Sequence, residues 1–247
     1  MIFIQRGSVP EILNQDGQAK TRVLCANYDQ GNRAFDFDNT IYGHETVKQA
    51  LIKMQHGKCC FCESKTQHIA FGDVEHYRPK AGYKQNLGNP LQKPGYYWLA
   101  YAWDNLLFCC ECCNRQYKKN LFPLLNHEKR AQCHIDDIGM ETPLLINPTL
   151  TEPSNHIGFR EEIPYPINDS LYGKTTIAIL GLDREDLNER RREKLNIIRA
   201  ILELIKVSKK SPYQKDLKLL AEEAHQLLNK EKLPQVEYSA MITAILA

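Results

Sequence analysis

Two C-x-x-C spacings, Cys59–Cys62 and Cys110–Cys113, constrain this chain more than any other feature of its sequence. A C-x-x-C turn lets two thiolates reach one tetrahedral ion from a tight knuckle, and two knuckles make a four-cysteine site. Zinc suits the role because it is redox-inert and keeps its thiol ligands ionised. Other chemistry stays open on the same residues. Cys109 and Cys112 offer a second register, four thiolates can hold an iron–sulfur cluster, and a C-x-x-C can be redox-active. The chain has nine cysteines, and in a reducing compartment such clustering favours metal over disulfides. With Cys110 and Cys113 as ligands, Cys25, Cys60, Cys109, Cys112 and Cys133 are read as packing residues.

Nothing in the sequence resembles a membrane span of about 18 uncharged apolar residues, and the apolar start is too short for a signal peptide. A cytoplasmic location is therefore expected. The net charge of +2 is modest. Free-standing nucleic-acid binders are often far more basic, so any such contact here must come from local clusters or through a partner.

Four segments are expected. Residues 1–40 mix a short apolar start with polar stretches and read as a strand or two and loops. Residues 41–125 form a core with both cysteine pairs; in it Val47, Ala50, Leu51 and Met54 trace one helical face from Glu45 to Gln55, ended by Gly57. Tyr96 to Leu107 is read as a helix leading into the second pair. Residues 126–172, rich in proline, look loop-like. Residues 173–247 are helical: Asp183 is expected to N-cap a helix whose first turn holds Glu185 and Asp186. Ser211-Pro212 reads as the start of another helix and Tyr238–Leu246 as a short third. Arg190, Arg191, Arg192 and Lys194 read as a solvated face or as a contact for nucleic acid or an acidic partner.

A pure zinc ribbon needs no chemistry between its knuckles, yet Asp73-Val74-Glu75-His76-Tyr77-Arg78-Pro79-Lys80 lies there. In an extended segment Asp73 and Glu75 point to one face. Two such carboxylates suit Mg²⁺ or Mn²⁺, and the neighbouring His76 can act as a base near neutrality. Asn114 directly follows Cys113, so a metal knuckle would fix its amide oxygen in space. Lys118, one helical turn on, could face a phosphate, and Arg78, Lys80, Arg115 and Lys119 could do likewise.

The order C-x-x-C, D-x-E-H, W-D-N-L-L, C-x-x-C-N, K resembles the HNH, or ββα-metal, nuclease family. Tyr97–Leu107, Tyr117–Pro123, Pro143–Pro148 and Thr175–Arg184 are similar to HNH subunits of Septu and retron-associated anti-phage systems. The family pattern puts its final ligand directly after the second pair, which selects Cys110 and Cys113. The resemblance implies an α+β fold with a zinc-stapled ββα-metal core, flanking loops and a C-terminal helical region. It implies a metal-dependent endonuclease in which His76 deprotonates water, Glu75 and Asn114 with Asp73 hold the catalytic Mg²⁺ or Mn²⁺, and Asn105 braces the histidine loop. Cys59, Cys62, Cys110 and Cys113 would hold structural Zn²⁺. The partners implied are nucleic acid, a PtuA-like ABC-type ATPase and, in retron relatives, a reverse transcriptase with its RNA–DNA product. DNA is the default substrate and RNA, tRNA in particular, the alternative; a non-catalytic zinc module binding nucleic acid or the ATPase is the other reading.

Overall fold

The computed structural model describes residues 1–210 and 214–246. Residues 1–40 are helical where loops and strands are expected. One π-helical turn, Leu13–Gly17, runs into helix α1, Gln18–Asp29. In this pair of segments only Leu13, Gly17 and Leu24 are buried, and so thin a stripe leaves no helical period to read. Gly17 is a packing position, not loop punctuation: a Cβ there would stand 3.1 Å from Cβ of Tyr101. Helix α2, Asn39–Tyr42, is capped by the side chain of Asp38. Helix α3, Glu45–Met54, buries Val47 and Leu51 as its periodicity requires.

Strand β1, Asp73–His76, pairs antiparallel with β2, Leu106–Cys109, setting Asp73 opposite Cys109 and His76 opposite Leu106. The helix expected over 96–107 is instead two 3₁₀ turns, Tyr97–Leu99 and Trp103–Asn105, followed by β2. Every residue of β2 is buried. A strand covered on both faces loses its polar alternation and cannot be told from a buried helix by pattern.

The β1–β2 sheet is the wall between two cores. Leu106 and Phe108 pack with Leu24, Leu51, Tyr97 and Trp103 on one side. Leu107 and Cys109 pack with the other cysteines, Phe122 and the C-terminal helices on the opposite side. The open edge of β2 is closed from the end of α3. The Gln55 amide donates to the Phe108 carbonyl at 2.7 Å and accepts from the Phe108 N–H at 2.8 Å, while Cys60 N–H donates to the same carbonyl.

Within 126–172 the regular structure is short, and a hairpin of β3, Ile157–Arg160, and β4, Ile163–Pro166, adds a second sheet. Four helices follow: α4, Leu171–Leu180; α5, Glu185–Lys210; α6, Gln214–Glu231; and α7, Ser239–Ile245. Asp183 does not cap α5, which begins two residues later. Its carbonyl instead accepts the Asn188 side-chain amide. The expected start at Ser211-Pro212 lies outside the described residues. Lys194 in the first half of α5 meets Glu231 at the end of α6 at 2.6 Å, so the two run antiparallel.

The basic run of α5 is internally engaged. Arg190 meets Glu193, and Arg192 meets Glu162 and Glu185. Arg191 is 2% exposed, neither solvated nor available to a partner. Among the described residues no helix is long and apolar enough to cross a membrane.

Helix α4 ends at Gly181 in the left-handed conformation, φ 52°. A Cβ there would lie 2.0 Å from the Tyr117 ring. Gly181→Ala is expected to lower the free energy of unfolding by about 1–3 kcal/mol, read as a reduced urea midpoint. An unchanged midpoint would show that the junction tolerates the side chain.

Candidate metal centre and catalytic site

The sulfurs of Cys59, Cys62, Cys110 and Cys113 lie within 4.8 Å of one another, all buried. A tetrahedral ion with metal–sulfur bonds of about 2.3 Å needs sulfurs about 3.8 Å apart. Cys62 and Cys110 stand at 3.7 Å. Soft donors, number and spacing fit a metal such as zinc. Local folding makes each knuckle: Glu63 N–H closes on the Cys59 carbonyl, Cys113 N–H points at Cys110 Sγ, and Asn114 N–H bonds the Cys110 carbonyl. S–H groups of Cys109 and Cys113 pull the Cys110 thiol down to about 5, and Cys59 and Cys62 are lowered too, while Cys113 is pushed well up.

Cys59, Cys60 and Cys109 also converge, sharing Cys59 with the first set. Cys109 is thus closer to the centre than a distant packing residue, 3.7 Å from Cys59. Burial pushes the Cys60 and Cys109 thiols well up. Three sulfurs offer one ligand fewer than a tetrahedral structural ion takes, so the trio is a poorer site than the four.

His76 is 6% exposed. Its Nε2 stands 2.9 Å from the Ala100 carbonyl. A carbonyl only accepts, so Nε2 carries the proton and Nδ1 keeps a lone pair. Nδ1 has no hydrogen-bond partner among the described residues. The Tyr42 ring packs against the imidazole, centroids 4.8 Å apart. Burial, reinforced by Lys80 and Lys118 and opposed by the Ala100 bond, holds the imidazole well below the ordinary histidine range. It is neutral at pH 7.

Asn105 fixes this arrangement from behind. Its Oδ1 accepts from Arg78 N–H at 2.7 Å, and its Nδ2 donates to the Arg78 and Leu99 carbonyls. One side chain thereby ties the exit of β1 to the turn that presents the Ala100 carbonyl.

Glu75 and Asp73 point to the opposite face of β1 from His76, as strand alternation requires. Glu75 is buried against Lys118, whose ammonium contacts Oε1 and donates to the His76 carbonyl at 3.0 Å. Glu75 Oε1 accepts no well-directed hydrogen bond. Burial raises the Glu75 carboxyl, with Lys118 opposing. Asp73 is held by Arg115 at 2.6 and 2.9 Å and by Asn114 Nδ2 at 3.0 Å, which leaves Asn114 Oδ1 free of protein donors among the described residues. Asp73, Glu75 and His76 form no convergent trio of the kind the cysteines make. Mg²⁺, however, usually keeps several waters and takes only one or two carboxylates. Glu75 Oε1 and Asn114 Oδ1 are oxygen donors of that type.

The basic candidates separate. Lys118 is fully buried, not on a phosphate-facing surface, and Arg78 turns to Glu141 at 3.0 Å. Arg115 lies on Asp73, and Lys119 is exposed. Lys80 is half-buried over the Tyr42 ring at 4.6 Å and meets no carboxylate at ion-pair distance among the described residues. Tyr42, the Ala100 carbonyl and Glu141 were not visible in the sequence as site residues. None carries a motif, and each reaches its partner across more than twenty residues of chain.

No family model matches the chain. It is 36% identical over 195 residues to Septu protein PtuB of Bacillus mycoides (strain KBAB4), covering 77% of this chain and 66% of that protein. It is 28% identical over 188 residues to Septu protein PtuB of Bacillus thuringiensis, covering 75% of this chain and 56% of that protein. The chain resembles these proteins along most of its length, while the matches span about two thirds and just over half of theirs.

If the four sulfurs hold a metal that supplies folding energy, Cys62→Ala should lose it and unfold at a much lower temperature than the parent. Metal analysis beside a thermal melt reads both. A variant with full metal content and a parental midpoint would exclude the four-cysteine centre.

Proposed function

We propose that this relative of Septu protein PtuB is a metal-dependent endonuclease of the HNH type, acting as the effector of a Septu-like anti-phage complex beside a PtuA-like ABC-type ATPase. The observation that carries the proposal is His76. Its proton is committed to the Ala100 carbonyl at Nε2, its ring is neutral, and its Nδ1 lone pair has no protein partner. A histidine in that state is ready to take a proton from water, the task of a general base.

The other residues serve the two faces of β1, His76 on one and the carboxylates on the other. Asn105 and the Ala100 carbonyl hold the imidazole in one tautomer and orientation. Tyr42 covers one side of the ring and limits its rotation. Glu75 Oε1 and Asn114 Oδ1, with Asp73 beside them, would hold Mg²⁺ or Mn²⁺. When bound, that ion neutralises charge on the scissile phosphate and the leaving oxygen. Lys118 opposes the burial that raises the Glu75 carboxyl, and Lys80, without a carboxylate of its own, is the cation available to a phosphodiester. Zinc on the four cysteines would fix the two knuckles between which these groups lie.

The net charge of +2 suits a subunit whose substrate is partly positioned by a partner. DNA is the default substrate, because attack by water needs no 2′-hydroxyl; RNA, tRNA included, is the alternative. A second reading, a non-catalytic zinc module that binds nucleic acid or the ATPase, is favoured by one fact. The chain's own cations hold both carboxylates, Lys118 on Glu75 and Arg115 on Asp73.

The deciding experiment is incubation with Mg²⁺ or Mn²⁺, with and without the ATPase, on labelled DNA and on total RNA. Cleavage is expected, and His76→Ala should lose about 10²–10⁴-fold in rate while keeping its fold and zinc content. Equal cleavage by His76→Ala would overturn the assignment, and no cleavage of either substrate under any condition would leave the binding module. Asn105→Ala should also slow cleavage, with a smaller loss in thermal stability. An unchanged rate would remove Asn105 from the positioning of His76.

A further inference from the structure

Arg191 is a cation in a place that ought to reject one. It is 2% exposed, and no carboxylate lies within ion-pair distance of it among the described residues. Its Nη1 donates to the Leu182 carbonyl at 2.6 Å and to Asn188 Oδ1 at 3.1 Å, and its Nε has no partner. Neutral acceptors satisfy hydrogen bonds without cancelling charge. An uncompensated buried ion costs several kcal/mol, of which the Phe159 and Tyr238 rings at 5.2 and 6.0 Å offset only a part. Burial lowers the Arg191 guanidinium, and the negative charge that opposes this comes first from Cys62 and then from Glu63. Glu63 already holds the Lys58 ammonium at 2.8 Å, which leaves the cysteines.

Arg184 touches the same cluster. Its Nη1 stands 3.8 Å from Cys113 Sγ and 3.0 Å from the Gly181 carbonyl at the end of α4. Its guanidinium lies over the Tyr117 ring at 5.3 Å. The carboxylate nearest to it, Asp186 at 3.3 Å, is 74% exposed, so that pair is screened by solvent.

A divalent ion on four thiolates carries a net charge of −2, and two guanidinium groups carry +2. Four neutral thiols, or two disulfides, carry none and would leave Arg191 buried without a counter-ion. We propose that Arg184 and Arg191 are the counter-cations of a dianionic metal–tetrathiolate centre, and that this charge pairing docks the α4–α5 junction onto the cysteine knuckles. Metal occupancy and the seating of the C-terminal helices then form one coupled equilibrium. The pairing is independent of nuclease activity and holds for a catalytic or a non-catalytic centre.

The test uses the full chain, Zn²⁺ as the probe and a competing chelator as the readout. Arg184→Met and Arg191→Met should each raise the Zn²⁺ dissociation constant by about tenfold, a shift the handful of lost packing contacts would not produce. Arg184→Lys, which keeps the charge, should stay within about threefold of the parent. Urea unfolding supplies a sign that mere packing cannot. Metal-free Arg191→Met should be more stable than the metal-free parent, because it no longer buries a lone charge, and less stable than the parent when zinc-loaded. Dissociation constants within twofold of the parent in both methionine variants, or equal destabilisation of loaded and metal-free forms, would overturn the proposal. Should Arg191→Met fail to fold, the more peripheral Arg184→Met with its lysine control decides alone.

Discussion

The convergence of four sulfurs from residues 59–62 and 110–113 is the constraint on which the rest of the structure depends. Closing a loop of that length costs on the order of 3–4 kcal/mol in chain entropy, and the two knuckles are joined to regular structure with little slack. The first follows the end of α3, where Gln55 clamps both backbone groups of Phe108. The second begins at Cys110, directly after β2 ends at Cys109. Everything between the knuckles, β1 included, is therefore held at both ends. Asn114 is placed by the turn that places Cys113.

The second organising element is the sheet wall. Alternation along β2 sends Leu106 and Phe108 to the N-terminal core and Leu107 and Cys109 to the cysteine side. The same alternation along β1 splits the candidate site, with His76 on one face and Asp73 and Glu75 on the other. Two groups bridge the split. Lys118 contacts the Glu75 carboxylate and the His76 carbonyl together, and Asn105 joins the strand exit to the turn that holds the imidazole. Either side chain ties the geometry of one face to that of the other.

What the sequence made legible follows from the range of the signals. The two cysteine knuckles, the amphipathic face of α3 and the short α7 depend on local spacing, and each is found there, although the choice of Cys110 and Cys113 over Cys109 and Cys112 comes from the family resemblance. Strand β2 was misread because burial on both faces erases alternation. The N-terminal helices were misread because α1 buries too little to leave a period. In the basic run of α5, Arg190 and Arg192 keep the exposed face expected of them, while the burial of Arg191 depends on segments elsewhere in the chain and has no local signature. Of the candidate site, residue identities could be read locally, but their contacts could not. That Lys118 serves Glu75, and that Ala100 supplies a carbonyl to His76, are tertiary facts without a sequence signature.

Buried charge and buried histidine carry different weight in deciding what the site does. A buried pair such as Lys118 with Glu75 is self-sustaining: removing one partner strands the other at about 3–5 kcal/mol, so the pair persists in a nuclease and in a binding module alike. It does not discriminate between them. A structural histidine, by contrast, gains most by bonding through both nitrogens, because a buried polar atom without a partner is costly. His76 bonds through one nitrogen, is braced by Asn105 through the neighbouring turn, and leaves Nδ1 without a protein partner among the described residues. Nδ1 is not among the buried atoms left without a partner, so water reaches it, and the proposed role of His76 as a base rests on that access together with the tautomer fixed at Nε2 by the Ala100 carbonyl.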